Sequence, residues 1–366
     1  MAYIWEQDDW TRFTWDSDRI LNLLANVALR QGQLLGRMEG LGFASRNEIH
    51  LRMLTADVIK SSEIEGEAFN PEEVRSSIAR RLGIDIGGYS AVGRDVEGTV
   101  EMMIDATSNY QEPLTFERLF AWHASLFPTG RVGMNKIRVG NWRKDEGGPM
   151  EVVSGPVGRE QVHYQAPPAD RVDKEIAEFL DWSNHPSKHH PIINASIGHF
   201  WFVTIHPFDD GNGRIARAIA DLMLARCENS PLRFYSMSAQ IRRERRDYYQ
   251  ILERSQQDSK DITEWHEWFL GCLLRSIESS GETLKAVIQK SHFWNRIADE
   301  SLNARQVKVV NLLLDGFQGK LTSTKWATLT KSSQDTATRD INDLIDRNIL
   351  RKHGGGRSTC YTLVEE

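Results

Sequence analysis

From residue 18 to residue 41 apolar side chains recur at intervals of three, four and seven. Ile20, Leu23, Leu24, Val27, Leu34 and Leu35 share one face, and the spacing predicts an amphipathic helix. A second helical pattern covers about 47–65 and stops at Gly66, a residue that takes the left-handed turn closing many helices. Asn70-Pro71 followed by two glutamates opens a third helix, and "GGYS" at 87–90 reads as a loop. Helical spacing resumes over about 93–127, with a fresh start at Pro113-Leu114-Thr115.

Residues 128–168 break that rhythm. Gly and Pro punctuate the segment, and the β-prone runs "MEVV" and "QVHY" flank Ser-Gly-Pro-Val-Gly, which predicts a hairpin. Helix returns at 169–184 and in the apolar run "IINASIGHFWFVTI" leading to His206; a new helix should start near Asn212 or Arg214. Further helices are expected over about 238–256 and 261–290. The last sixty or so residues read as three short helices and a glycine-tipped hairpin, an order that resembles a winged helix domain. Trp5, Trp10 and Trp15, five residues apart, are read as packing.

Composition narrows the classes. A chain of 366 residues with 40% apolar and 26% charged side chains can bury a large core and should split into two or three domains. A net charge of −6 argues against non-specific coating of nucleic acid or anionic membrane. Acidic residues stand where a secretory signal would be basic, and no apolar run reaches spanning length, so the expectation is a cytoplasmic protein without membrane contact. Cys227, Cys272 and Cys360 form neither a disulfide framework nor a zinc spacing and read as small apolar fillers.

The chemistry concentrates in "HPFDDGNGRIAR" at 206–217. A glycine-bearing turn opening a helix offers backbone N–H groups and the positive end of the helix dipole to phosphate oxygens. Gly211, Asn212 and Gly213 form that cradle; Asp210 at its edge is a candidate Mg²⁺ ligand, and Arg214 and Arg217, one turn apart, can clamp phosphate charge. His206 at the other end is a candidate general base, because neutral imidazole can take a proton from a hydroxyl. Together these parts describe transfer of a phosphorus-centred group to an alcohol. The plainer alternative is a tight helix corner with solvated charges.

The same twelve residues match without a gap the signature of the Fic family, His-Pro-Phe-x-Asp/Glu-Gly-Asn-Gly-Arg-x-x-Arg, and residues 95–290 resemble that family's core. The resemblance implies a mainly α fold: a Fic-type helical core with a β-hairpin flap, followed by the winged helix domain. It implies transfer of AMP from ATP to a Ser, Thr or Tyr hydroxyl of a target protein with release of pyrophosphate. His206 would be the base, Asp210 the Mg²⁺ ligand, and Gly211, Asn212, Gly213, Arg214 and Arg217 the phosphate ligands. Phe208 would anchor the loop, with Asp209 facing solvent. The hairpin at 150–165 would be the flap on which a target protein docks. Tyr248, Tyr249 and Gln256 would approach adenine, while "RRERR" at 242–246 is read as a solvated helix face.

A second stretch, "SSEIEGE" at 61–67, fits the same picture. Ser61, Glu65 and Gly66 match the inhibitory-helix pattern Ser/Thr-x-x-x-Glu-Gly/Asn found in many Fic proteins. The resemblance implies that Glu65 pairs with Arg217 and takes the place needed by the γ-phosphate; in some relatives the same glutamate supports removal of AMP. The expected domains are therefore 1–94 with the inhibitory helix, 95–290 the Fic core and 291–366 the winged helix. Between Ser332 and Arg347 four acids face two bases, leaving the third short helix two charges negative. Such a helix would be repelled by phosphates, so protein docking or a homodimer contact is preferred there to DNA. The competing functional reading is a nucleotide-sensing transcription regulator whose winged helix binds DNA.

Overall fold

Helix dominates from residue 17 onward. The computed structural model describes residues 2–155, 159–185, 188–257, 259–314, 316–317, 319–356 and 359–364. The first helices are α1 (Ser17–Glu39), α2 (Phe43–Ile64), α3 (Pro71–Leu82), α4 (Arg94–Ser108) and α5 (Phe116–Leu126). Two small antiparallel pairs follow, β1 (Arg131–Val132) with β2 (Asn135–Lys136) and β3 (Glu151–Ser154) with β4 (Gln161–Gln165). Then come α6 (Val172–Asn184), α7 (Pro191–Ile205), α8 (Asn212–Glu228), α9 (Met237–Arg243), α10 (Arg245–Ser255) and α11 (Thr263–Arg296). The chain closes with α12 (Ala304–Leu314), α13 (Ser323–Thr330), α14 (Gln334–Asp346), β5 (Leu350–His353) and β6 (Cys360–Leu363). Among the described residues no helix is long and apolar enough to cross a membrane.

The chain divides into two compact units, Met1–Gly281 and Glu282–Glu366. The division expected at 94/95 falls inside the first unit, because α4 packs on α3 and α2 as well as on α5 and α8. In that unit α7 is the central helix. Ile192, Ile193 and every residue from Ala195 to Ile205 are buried, so a run apolar on all sides is satisfied only by neighbours on all sides. It pairs closely with α8 at Gly198, where a Cβ would meet Met223 and Ile219.

The helix expected over 238–256 is broken. Glu244 leaves helical geometry at φ −104° and ψ 25°, and its carboxylate is held by both Arg275 nitrogens, Nε at 2.6 Å and Nη2 at 2.7 Å. That contact lies 31 residues away in sequence, so no local pattern announces it. The tryptophans pack as expected: Trp5 donates to the Gln165 carbonyl at 2.7 Å, Trp10 donates to Glu175 at 3.0 Å, and Trp15 abuts His266.

In the second unit α12, α13 and α14 enclose Val309, Val310, Trp326, Ile341 and Leu344, with the β5–β6 hairpin completing the cover. Leu321 forms a further bridge to Tyr361. The charge balance of α14 differs from the sequence tally. Asp340 is buried against Arg305 at 2.7 Å, a base outside the tally, while Asp343 pairs at 2.9 Å with Arg347, already counted in it, so the deficit of two charges falls to one. Arg357 lies outside the described residues, as does the centre of the flap turn at 156–158.

Candidate functional site

Helix α7 ends because Pro207 cannot continue it, and His206 turns into the left-handed region at φ 50° and ψ 59°. The next residue, Phe208, is fully buried, stacked on His123 at 4.2 Å between ring centres and set against Trp142. Asn212 reaches back across the loop: its Oδ1 accepts from the Phe208 N–H at 2.9 Å, and its Nδ2 donates to the Phe208 carbonyl at 2.8 Å. The Asn212 side chain is therefore a brace for the turn, and its backbone N–H, the donor expected of the cradle, is the part left to serve an anion. Gly211 stands at φ 81°, where a Cβ would press on the Phe127 ring. As the N-cap of α8 it has no side chain to cap the first turn, so the leading amides of that helix keep their donors for an outside acceptor.

His206 is oriented from both ends. Its Nδ1 lies 3.1 Å from the Val203 carbonyl, which can only accept, so the proton belongs on Nδ1 and Nε2 carries the lone pair. Burial, with a smaller contribution from Arg143, pushes its pKa down to about 4, against the opposing pull of Val203 and Glu65. The ring is thus neutral at physiological pH. Arg143 is the partner that sequence reasoning missed. Almost wholly buried, it donates from Nε to the His206 carbonyl at 2.7 Å and from Nη2 to the Pro167 carbonyl at 2.5 Å, and its own N–H reaches the Pro207 carbonyl at 2.9 Å. Asp209, expected in solvent, is half-buried and accepts from the Arg138 N–H at 2.7 Å, tying the turn to the segment after β2.

Arg214 and Arg217 are both buried on α8, and both are met by the end of α2. Arg217 donates from Nη2 to Glu65 at 2.7 Å, and from Nε and Nη2 to the hydroxyl and carbonyl of Ser61 at 2.9 and 3.0 Å. Burial alone would raise the Glu65 carboxyl, but Arg217, with Arg214 and Arg245, outweighs it and holds the group below its ordinary range. Glu65 also crowds the first turn of α8: a Cβ on Gly213 would collide with its Oε1. Arg214 donates from Nη1 to Glu67 at 2.8 Å, sits 4.9 Å from the Phe127 ring centre, and lies 3.8 Å from Asp210 through Nη2.

A Schellman turn at Gly66 presents the two glutamates together. The Gly66 N–H bonds to the Glu63 carbonyl at 3.2 Å and the Glu67 N–H to the Ser62 carbonyl at 3.0 Å, with Gly66 at φ 89°. Arg245 adds a further hold, donating to the Ile64 carbonyl at 2.7 Å.

These residues line one cavity of about 880 Å³, walled by His206, Asp209–Gly213, Glu65, the flap strands β3 and β4, and α10. Tyr248, Tyr249 and Gln256, expected near adenine, all line its far wall. Tyr248 is buried, with its hydroxyl 2.9 Å from His199 Nε2. Gln256 is also buried, its Nε2 donating to the Thr204 hydroxyl at 3.2 Å and its backbone carbonyl accepting the Ile4 N–H. Arg242, Arg245 and Arg246, read as a solvated face, line the cavity. Tyr249 is half-buried, with its hydroxyl 3.4 Å from Glu65 and Arg245 5.1 Å over its ring.

Residues 113–224 match the family model described as Fic/DOC family. That segment, which contains the whole of the turn and most of α8, carries the Fic/DOC match. Residues 3–84 match a second model, a domain of unknown function (DUF4172). The chain is 36% identical over 123 residues to protein adenylyltransferase Fic of Nematostella vectensis, covering 32% of this chain and 26% of that protein. Against protein adenylyltransferase Fic of Drosophila melanogaster it is 23% identical over 232 residues, covering 60% of this chain and 41% of that one. The chain thus spans between a quarter and about two-fifths of the length of these curated relatives. In fold, it resembles a Fic family protein from Desulfovibrio desulfuricans G20, with a TM-score of 0.56 and 22% identity over 96% of this chain and 98% of that one. A Fic domain containing signaling protein from Bacteroides thetaiotaomicron gives 0.53 at 16% identity, over 71% and 98% of the two chains. At such identities the likeness establishes a shared fold: mainly helical, with small hairpins, Fic-like across most of the chain.

Proposed function

We propose that this protein transfers AMP from ATP to a hydroxyl side chain of a target protein, releasing pyrophosphate, and that Glu65 restrains it. The observation that carries this reading is the joint arrangement of His206, with its basic Nε2 and neutral ring, and the uncapped first turn of α8, in one cavity. Phosphate oxygens of ATP would accept from the amides at Asn212–Arg214 and from Arg214 and Arg217. His206 Nε2 would take the acceptor hydroxyl's proton as that oxygen attacks the α-phosphorus; the bond to pyrophosphate breaks, and Arg214 and Arg217 offset the charge that leaves.

The donor set fits Mg²⁺. Asp210 supplies one carboxylate, about two-fifths exposed, and among the described residues no group of three or more His, Cys, Asp or Glu could cage a metal alone. A cation that completes its shell with phosphate oxygens and water suits such a site, and it would neutralise phosphate charge there.

In this reading α2 is the inhibitory helix of an N-terminal region, 1–94, and residues 95–290 are the catalytic core. The β3–β4 flap is the dock for an extended target segment, and residues 291–366 are a winged helix. That last assignment is supported by the order of three helices and a hairpin, together with the Leu321–Tyr361 bridge. Tyr248 and Tyr249 are the aromatic candidates for adenine, with Gln256 beside them on the same wall. Removal of AMP from the target is a second activity the same glutamate could serve, and a homodimer contact is a further role for the C-terminal unit. The deciding assay incubates the protein with labelled ATP and Mg²⁺. Weak labelling by the wild type, strong labelling by Glu65→Gly and none by Glu65→Gly/His206→Ala would support the reading; no label on any protein from any variant would sink it.

One observation favours a second reading for the C-terminal unit. Because Asp340 is neutralised by Arg305, a base outside α14, the charge objection to DNA falls from two negative charges to one.

A further inference from the structure

Arg214 stands in the cavity wall under the same constraint as Arg217, yet through a different partner. Its guanidinium side chain is 3% exposed and lies over Phe127, so it cannot swing into water; a ligand must meet it where it is. Its Nη1 is taken by Glu67 at 2.8 Å. Its Nε, like Nη1 of Arg217, is buried without a hydrogen-bond partner, so each cation keeps an N–H that an arriving anion could satisfy.

We propose that Glu67 is a second carboxylate gate on the nucleotide site, masking Arg214 as Glu65 masks Arg217. This inference rests on the nucleotide-binding reading above. The Schellman turn explains why one short segment serves both arginines: with Gly66 at φ 89° and the Glu67 N–H bonded to the Ser62 carbonyl, residues 65 and 67 leave the helix end on paths that reach neighbouring turns of α8. The two gates are unequal. Glu65 is held below its ordinary pKa by the surrounding arginines, whereas burial raises Glu67 and Arg214 only partly offsets it, leaving the Glu67 contact the weaker hold. Glu67 is also 42% exposed, so it has somewhere to go when phosphate displaces it. Apparent affinity falls in proportion to the fraction of molecules with the site open, so two gates acting separately multiply.

The test measures binding of ATP with Mg²⁺, and separately of AMP, by calorimetry for wild type, Glu65→Gln, Glu67→Gln and the double variant. Glu67→Ala is run as a second replacement, and melting curves confirm that each variant is folded. Loss of Glu67 should tighten ATP about five-fold in both the wild-type and the Glu65→Gln backgrounds, the size of one partly exposed ion pair. It should leave AMP affinity unchanged, since AMP has no outer phosphate to claim Arg214. If Glu65→Gln binds ATP and neither removal of Glu67 adds to it, the gate is overturned while the nucleotide reading stands. An equal gain for AMP would also overturn it, because that marks a general loss of negative charge. If no variant binds ATP, the nucleotide reading fails and takes the gate with it.

Discussion

Glu65 and Arg217 meet at 2.7 Å across 152 residues of sequence, and Arg217 is only 2% exposed. A buried pair of this kind is costly to break from one side, because the remaining charge stays desolvated. Glu65→Gly should therefore lower thermal stability while raising AMP transfer. Ser61 still contributes two acceptors to Arg217, so the loss should be about 1–3 kcal/mol. ATP with Mg²⁺ should recover part of that loss in the variant more than in the wild type. Melting curves with and without ATP check both statements; a variant that is stabilised and remains inactive would contradict them.

His206 titrates near 4, well below the ordinary histidine value, because burial opposes its charged form. A base must be neutral to act, so activity should be full above the shifted pKa and lost as pH falls through it. In the Glu65→Gly background the removal of a nearby negative charge lowers the pKa further. Initial transfer rates should accordingly stay flat between pH 6 and 8, without the fall near 6.5 that an unperturbed imidazole would give. A half-maximal point at 6.5 would show that the ring is not held as described.

Arg143 satisfies three backbone carbonyls around the turn, those of His206, Pro207 and Pro167. Arg143→Ala should strand the His206 and Pro167 acceptors and destabilise the protein by about 2–3 kcal/mol, read as a lower denaturation midpoint. It should also cut transfer by at least about ten-fold in the Glu65→Gly background, since the imidazole loses its fixed orientation. Arg143→Lys, with one nitrogen in place of a fork, should recover only part of either loss.

Gly66 lies at φ 89°, where side chains with a Cβ are strained. Gly66→Val should cost about 1–2 kcal/mol and, by opening the turn that presents Glu65 and Glu67, raise basal AMP transfer. Two readouts moving in opposite directions separate this from simple destabilisation, which would lower both.

For the C-terminal unit, mobility-shift titrations of the full chain with duplex DNA decide between its two readings. If it binds DNA, affinity should fall steeply with salt, and Arg351→Glu or Lys352→Glu should weaken it. Absence of a shift at low salt would leave protein docking as its role.

The helices were legible because their apolar spacing is local: α1, α2, α7 and α8 each announce themselves within their own residues. The turn at 206–213 was legible for the same reason, as were the flap strands. What stayed hidden depends on partners distant in sequence. Arg143 is 63 residues from His206, Glu67 is 147 from Arg214, and Arg245 is 181 from Ile64. A lone arginine in a Gly-rich segment carries no periodicity to mark it as buried. Hidden likewise were the partners of Tyr248 and Gln256, His199 and Thr204, which hold these two side chains at the cavity wall. Counting formal charge misled on α14 for the same reason, because Asp340 faces Arg305, 35 residues away and outside the count.

Asp57, midway along α2, accepts from the Ser236 hydroxyl at 2.7 Å and the Ser238 N–H at 3.1 Å, and α2 packs along α9. A helix bolted at its middle cannot lift away as a rod. Any departure of residues 65–67 from the arginines must then be a fraying of the final turn, a few ångströms in extent. Scattering profiles would barely register it, whereas amide exchange would report it as faster deuterium uptake confined to the peptide around Ser62–Glu67, with the rest of α2 silent.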